Sequence, residues 1–154
     1  MEKMDARKRY TQMVLKQSFL KLLKEKPVNR ITVKEVCALA QLNRATFYAH
    51  YSDCFALMES IENELIDAFE KSLRYVNLFD VTALIEAIYD MVDQNQAACR
   101  VLILGNTSAT VLMRMIALAK EESIAYWRKE LPYADETELE MMYTHLSNGL
   151  MHVV

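Results

Sequence analysis

An all-α fold is what this sequence predicts, on three observations. Two Gly and two Pro in 154 residues leave little turn chemistry for β-hairpins. Apolar residues make up 53% of the chain and recur at three- and four-residue spacing. Between Ile31 and Tyr51, two short helical patterns stand on either side of a three-residue break. A chain of this length holds one ordinary domain, or a small one and part of a second.

Met1 to Ala6 reads as a frayed end. A first helix follows from about Arg7 to Lys24, with Leu15, Phe19, Leu22 and Leu23 at helical spacing. Pro27 ends it, and Val28 to Arg30 is a loop. Thr32, with Glu35 three residues later, forms a capping box for a helix over Val33 to Ala40, whose apolar face is Val36, Leu39 and Ala40. Gln41, Leu42 and Asn43 make the break, and Asn43 caps a second helix from Arg44 to about Tyr51. Phe47 and Tyr51, four residues apart, turn inward and leave Arg44, Ala45, Thr46, Tyr48 and His50 on the opposite side. Two helices joined so tightly, the second with a polar first half, form the helix-turn-helix layout that reads a DNA major groove.

Ser52 is the expected N-cap of a fourth helix, Asp53 to about Tyr75, with Leu57, Ile61, Leu65 and Phe69 as an i+4 stripe. Asp80 caps a helix over Val81 to about Asn95 with Leu84, Ile88 and Met91 inward. A shorter helix, Gln96 to Leu104, closes at Gly105, a residue suited to the position just past a helix end. Thr107 or Ser108 begins a long helix that reaches about Leu131 and stops at Pro132. Its apolar residues include Leu112, Met115, Ile116, Ala119, Ile124 and Trp127. The last helix starts near Asp135 and carries Leu139, Met142, Leu146, Gly149 and Val153. It is still in stride at Val154, with no C-cap and no polar tail, which points to a truncated C-terminus.

Charge divides the chain. Residues 1–52 carry eleven Lys/Arg against four Asp/Glu, a net +7, while residues 53–154 carry seven against seventeen, a net −10. Uneven charge is common on the solvated faces of small helical domains. Here the basic segment coincides with the helix-turn-helix, as expected where one end of a protein meets phosphate. Within it Lys3, Arg7, Lys8 and Arg9 form a basic lead-in, which serves equally well as a solvated helix end or as a contact to DNA backbone or minor groove.

Several function classes find little support. No run of 18 apolar residues exists and the N-terminus is charged, so neither a membrane span nor a secretory leader is expected. Cys37, Cys54 and Cys99 are odd in number and widely spaced, as reduced thiols of a cytoplasmic protein would be. Two glycines 44 residues apart make no phosphate loop. His145 and His152 share a face seven residues apart, a spacing that suits surface or core histidines better than a metal pair. Glu62/Glu64 and Glu121/Glu122 do not converge. Neither an enzyme nor a metal site nor a bound cofactor is expected.

At Thr32-Val33-x-x-Val36, Ala40-x-Leu42-Asn43 and Ala45-Thr46-Phe47-Tyr48-x-His50-Tyr51 the sequence resembles the signature of TetR-type (TetR/AcrR) transcriptional regulators, over about Leu15 to Leu57. Two positions depart from it. Gln41 stands where Gly is usual, at a cost of about 1 kcal/mol or somewhat more if the backbone there is left-handed. Cys54 stands where a phosphate-binding Lys is usual, so one backbone contact is missing.

The resemblance implies a DNA-binding head at residues 1–52 and a helical effector-binding and dimerisation body at 53–154, joined by the fourth helix. It implies DNA contacts at the positions of Lys34, Arg44, Ala45, Thr46, Tyr48 and His50, and a last helix that continues and pairs with another to form the dimer interface. From side-chain chemistry, Arg44 suits a guanine edge. Thr46 suits phosphate, or alternatively helps set the turn. Tyr48 suits a sugar or thymine methyl, while His50 and Lys34 suit backbone.

Seven of the ten Met lie in the body (Met58, Met91, Met113, Met115, Met141, Met142 and Met151), either as ordinary core filling or as an adaptable pocket for a small effector. Tyr75, Tyr89, Trp127 and Tyr143 are polar-tipped candidate liners. The expected function is a ligand-responsive repressor that binds a palindromic operator in double-stranded DNA as a homodimer. The rival is a helical interaction module that acts through a protein partner, as an activator or co-regulator.

Overall fold

The computed structural model describes residues 2–74, 81–105 and 109–151, and side chains within 6–74, 82–105 and 110–146. Among these residues every regular element is helical. The order is α1 (Glu2–Leu23), a 3-10 turn (Val28–Arg30), α2 (Val33–Ala40), α3 (Arg44–Tyr48), α4 (Cys54–Leu73), α5 (Val81–Gln94), α6 (Gln96–Ala98) continuing as a π-helical stretch (Cys99–Leu104), α7 (Ala109–Glu130) and α8 (Glu136–Met151). The all-α expectation holds. The expected caps at Asp80 and at Thr107 or Ser108, and the residues Tyr75, His152, Val153 and Val154, lie outside the described residues.

Local chemistry accounts for the head. α1 starts at Glu2, so the expected frayed end is largely helical. Thr32 and Glu35 form the capping box: Glu35 N–H donates to Thr32 Oγ1 at 3.3 Å, and Thr32 N–H donates to Glu35 Oε2 at 2.9 Å. Glu35 also pairs with Lys26, which ties the loop after α1 to the start of α2. At the far end Gln41 is left-handed, with φ 54° and ψ 39°. Its N–H donates to Ala38 O at 3.3 Å and the Leu42 N–H to Cys37 O at 2.9 Å, the paired bonds of a Schellman ending. The inner face of α2 differs from expectation at one position. Leu39 is exposed, and Cys37 is buried beside Val36 and Ala40.

α4 is the central strut. Its N-cap is Asp53, not Ser52: the Asp53 carboxylate accepts from Ala56 N–H at 2.8 Å. A carboxylate there also suits the positive end of the helix dipole. Leu57, Ile61, Leu65 and Phe69 are all buried as the spacing predicts. Each contributes about 1.5–3 kcal/mol relative to an exposed side chain. α4 packs on α5 and α7, α1 packs on α2, and α6 touches both α1 and α4. One continuous buried cluster runs from Leu15 and Phe19 through Phe47 and Leu57 to Val111 and Met115, so head and body share a core.

In α5 Met91 is buried and Leu84 and Ile88 are half-buried against the core. Gly105 ends the π-helical stretch, as expected, at φ −75° and ψ 0°. In α7 the inward residues are Val111, Met115, Ile124 and Trp127, whereas Leu112 and Ile116, expected on the apolar face, are exposed. α8 closes on α7 through a small cluster of Ile124, Trp127 and Leu139. Of its expected seam Leu139 is buried, Met142 half-buried and Leu146 exposed.

Candidate nucleic-acid interface

α3 is one turn and a half long, too short to persist by its own hydrogen bonds. Three features hold it. Asn43 Oδ1 accepts from Thr46 N–H at 2.7 Å and from Thr46 Oγ1 at 2.9 Å. Phe47 is fully buried, and its ring meets Tyr48 edge-on at 5.6 Å and Tyr51 at 5.9 Å. Past Tyr48 the chain tightens, with His50 N–H and Tyr51 N–H both donating to Phe47 O at 2.9 Å. The helix therefore ends earlier than the expected Tyr51, although Tyr51 is still buried.

This frame leaves the other side of α3 to solvent. Arg44 and Ala45 are exposed, and Tyr48 is 57% exposed, a large ring on open surface. Lys34 is exposed in the first turn of α2. Thr46 is half-buried and its hydroxyl donates to Asn43, so the alternative in which Thr46 helps set the turn is the one its geometry matches. His50 is half-buried, and its Nδ1 is shielded with no hydrogen-bond partner.

Two features are not foreseeable from residue spacing. The first is a notch of about 480 Å³ between α1 and α3, where Arg7, Lys8 and Thr11 face Thr46, Ala49 and His50. Its signal in the sequence is the basic lead-in, which carries no direction of its own. The second is the setting of Cys54. It is the first residue of α4 and 6% exposed, and burial, with smaller help from Asp53, Cys37 and Glu35, pushes its thiol up to about 11. A neutral buried thiol thus stands at the start of α4. The nearby Glu35 carboxyl is held down at about 2, chiefly by Lys26 and then by the Thr32 hydroxyl and backbone. Its charge is thus engaged inside the head.

The body offers two open clefts against α4. One of about 460 Å³ lies between α4 and α5, lined by Asp67, Lys71, Asp90 and Met91. The other, about 350 Å³, lies between α1, α4 and the α5–α6 turn, lined by Lys16, Leu20, Ile61 and Asn95. Of the body Met residues described, Met91 and Met115 are buried, Met58 and Met142 half-buried, and Met113 and Met141 exposed. Met141 and Met142 both line an open groove of about 1120 Å³ between the α7–α8 turn and α8, Met91 lines the α4–α5 cleft, and the six do not all gather round one cavity. Tyr89 is 71% exposed and lines neither cleft, and Trp127 is buried in the α7–α8 cluster. Tyr143 donates from its hydroxyl to Ile116 O at 3.2 Å. Among the described residues no group of His, Cys, Asp and Glu is placed to hold a metal ion, and no helix is long and apolar enough to cross a membrane.

A crystal structure of a transcriptional regulator of the TerR/AcrR family from Aquifex aeolicus VF5 matches 93% of this chain and 84% of its own, with a TM-score of 0.63 at 15% identity. The likeness read from residues 15–57 thus extends to the fold of nearly the whole chain. In sequence, the uncharacterized HTH-type transcriptional regulator YxbF of Bacillus subtilis is 30% identical over 59 residues, which is 38% of this chain. That match spans 16% of the YxbF length. No protein-family profile matches the chain.

Proposed function

We propose that this chain regulates transcription by binding duplex DNA through α3, most simply as a ligand-responsive repressor that sits as a two-fold dimer on a palindromic operator. The observation that carries the reading is the capped, buried-on-one-side α3, whose Arg44, Ala45 and Tyr48 face solvent beside a basic notch in a head of net charge +7. Arg44 has the fork to grip guanine O6 and N7, and Tyr48 can lie against sugar or a thymine methyl. Lys34 and His50 serve the backbone, and Thr46 does so only by giving up its bond to Asn43. Residues 1–52 act as the reading head and residues 53–154 as the effector-binding and dimerising body. A dimer must hold its two α3 helices about one DNA turn, roughly 34–36 Å, apart.

Salt titration tests the reading. Affinity for duplex DNA should fall linearly on a log–log plot, with a slope near −0.9 for each phosphate neutralised. Binding that is absent at low salt, or indifferent to salt, removes DNA as the partner.

A further inference from the structure

We infer that the notch between α1 and α3 is a phosphate clamp in which Arg7 and Lys8 grip the DNA backbone. The inference rests on the DNA-binding reading above and adds to it two residues and a position on the duplex. Arg7 and Lys8 are exposed on α1, and both line the notch opposite Thr46, Ala49 and His50 of the reading segment. No carboxylate is among its described lining residues. Thr11 turns its hydroxyl back onto Arg7 O at 2.9 Å, so its donor is already engaged and the two cations are left to hold an incoming anion. Ala45 and Ala49 line the other wall and carry only methyl groups, which lets a phosphodiester approach α3 closely. The His50 ring also lines the notch, and with no partner on Nδ1 it is positioned by packing and not by a hydrogen bond. A short anion site flanked by two cations and open on the α3 side fits a phosphate adjacent to the groove that α3 enters.

Position separates this clamp from mere net charge. Lys21 and Lys24 are exposed cations further along α1 and beyond its end. Lys21 is 14 residues from Arg7, roughly 20 Å at helical rise. That exceeds twice the Debye length of about 8 Å at physiological salt. The test compares the full chain with Arg7→Gln/Lys8→Gln and with Lys21→Gln/Lys24→Gln, using a mixed-sequence DNA duplex of about three helical turns over a salt series.

The Arg7/Lys8 variant should weaken binding to all sequences alike and reduce the log–log slope by about 0.9 for each phosphate no longer neutralised, close to two units in all. The Lys21/Lys24 variant should leave the slope within a fraction of a unit. Arg7→Lys/Lys8→Arg should restore it. Both side chains are exposed, so an unchanged thermal melt shows that the weaker binding is not unfolding. If the parent chain binds and the Arg7/Lys8 variant keeps its slope, or the two double variants lose slope equally, the clamp is refuted while the DNA reading survives. If the parent does not bind duplex DNA at any salt, both fall together.

Discussion

Gln41→Gly should make the protein more stable, and the magnitude follows from one backbone angle. Gln41 sits at φ 54° and ψ 39°, where its Cβ crowds the following carbonyl. A left-handed residue with a Cβ pays roughly 1–2 kcal/mol for this. Glycine escapes the penalty but adds freedom to the unfolded chain, which costs about 0.4–1 kcal/mol. The Gln41 side chain is exposed, and its backbone N–H, shared between Ala38 O and Cys37 O, is kept by glycine, so little packing is lost. The difference is a gain of about 0.5–1 kcal/mol. For a chain of this size each kcal/mol is worth about 2–4 °C in Tm, so a rise of roughly 1–4 °C is expected. Urea denaturation should show a higher midpoint at unchanged slope. A β-branched Gln41→Val should move the midpoint the other way. A fall in stability for Gln41→Gly would show that the turn between α2 and α3 is not strained.

Glu35 should contribute to stability in a defined pH window. Its folded value is depressed to about 2 from 4.5, so the contribution is complete above pH 4.5 and disappears as pH falls toward about 2. Glu35→Gln keeps a capping-box side chain but removes the charge, so parent and variant should differ at pH 6 and converge near pH 2; a constant difference would contradict the linkage. Burial raises the Cys37, Cys54 and Cys99 thiols, Cys54 to about 11, so iodoacetamide at pH 8 should label none of them until denaturant is added, as mass spectrometry would show. Arg44→Ala should cost roughly 1–3 kcal/mol on a cognate site and relax preference at one base pair, whereas Lys34→Ala should weaken all sequences and lower the salt slope by about one unit. Uniform weakening for Arg44→Ala would move it from base reading to backbone grip.

What is legible in the sequence is what local chemistry decides. The Thr32–Glu35 box, the Asn43 cap and the Leu57–Phe69 stripe each depend on residues within a few positions of one another. All appear where spacing puts them. The misses have a different origin. Leu39 and Cys37 are both apolar neighbours on α2, and only the approach of α1 and α4 decides which one is covered. Leu112 and Ile116 satisfy helical spacing as well as Val111 and Met115 do, but α4 lies over the second pair. Ser52 and Asp53 are both good caps, one residue apart, and the choice rests on which oxygen reaches Ala56 N–H. Of the candidate interface, the exposed face of α3 is readable. The arrival of Arg7 and Lys8 beside it is not, because it depends on how α1 crosses the head.

The shared core ties α3 to the rest of the chain. Head and body are not joined by a slack linker: Phe47, Cys54 and Leu57 belong to the same buried cluster as Met91 and Met115. Two neighbouring residues of α4 also reach different helices. Glu64 pairs with Lys16 of α1, and Asn63 accepts from Arg114 of α7 at 3.1 Å. The middle of α4 is therefore held from the head on one side and from the body on the other. A packed interior does not deform continuously, so a change that shifts α7 must either break the hydrogen bond at Asn63 or carry α4 with it. Both clefts against α4 are lined in part by Glu64. A ligand that binds one arrangement of α4 better than another can shift the head only by that difference in affinity.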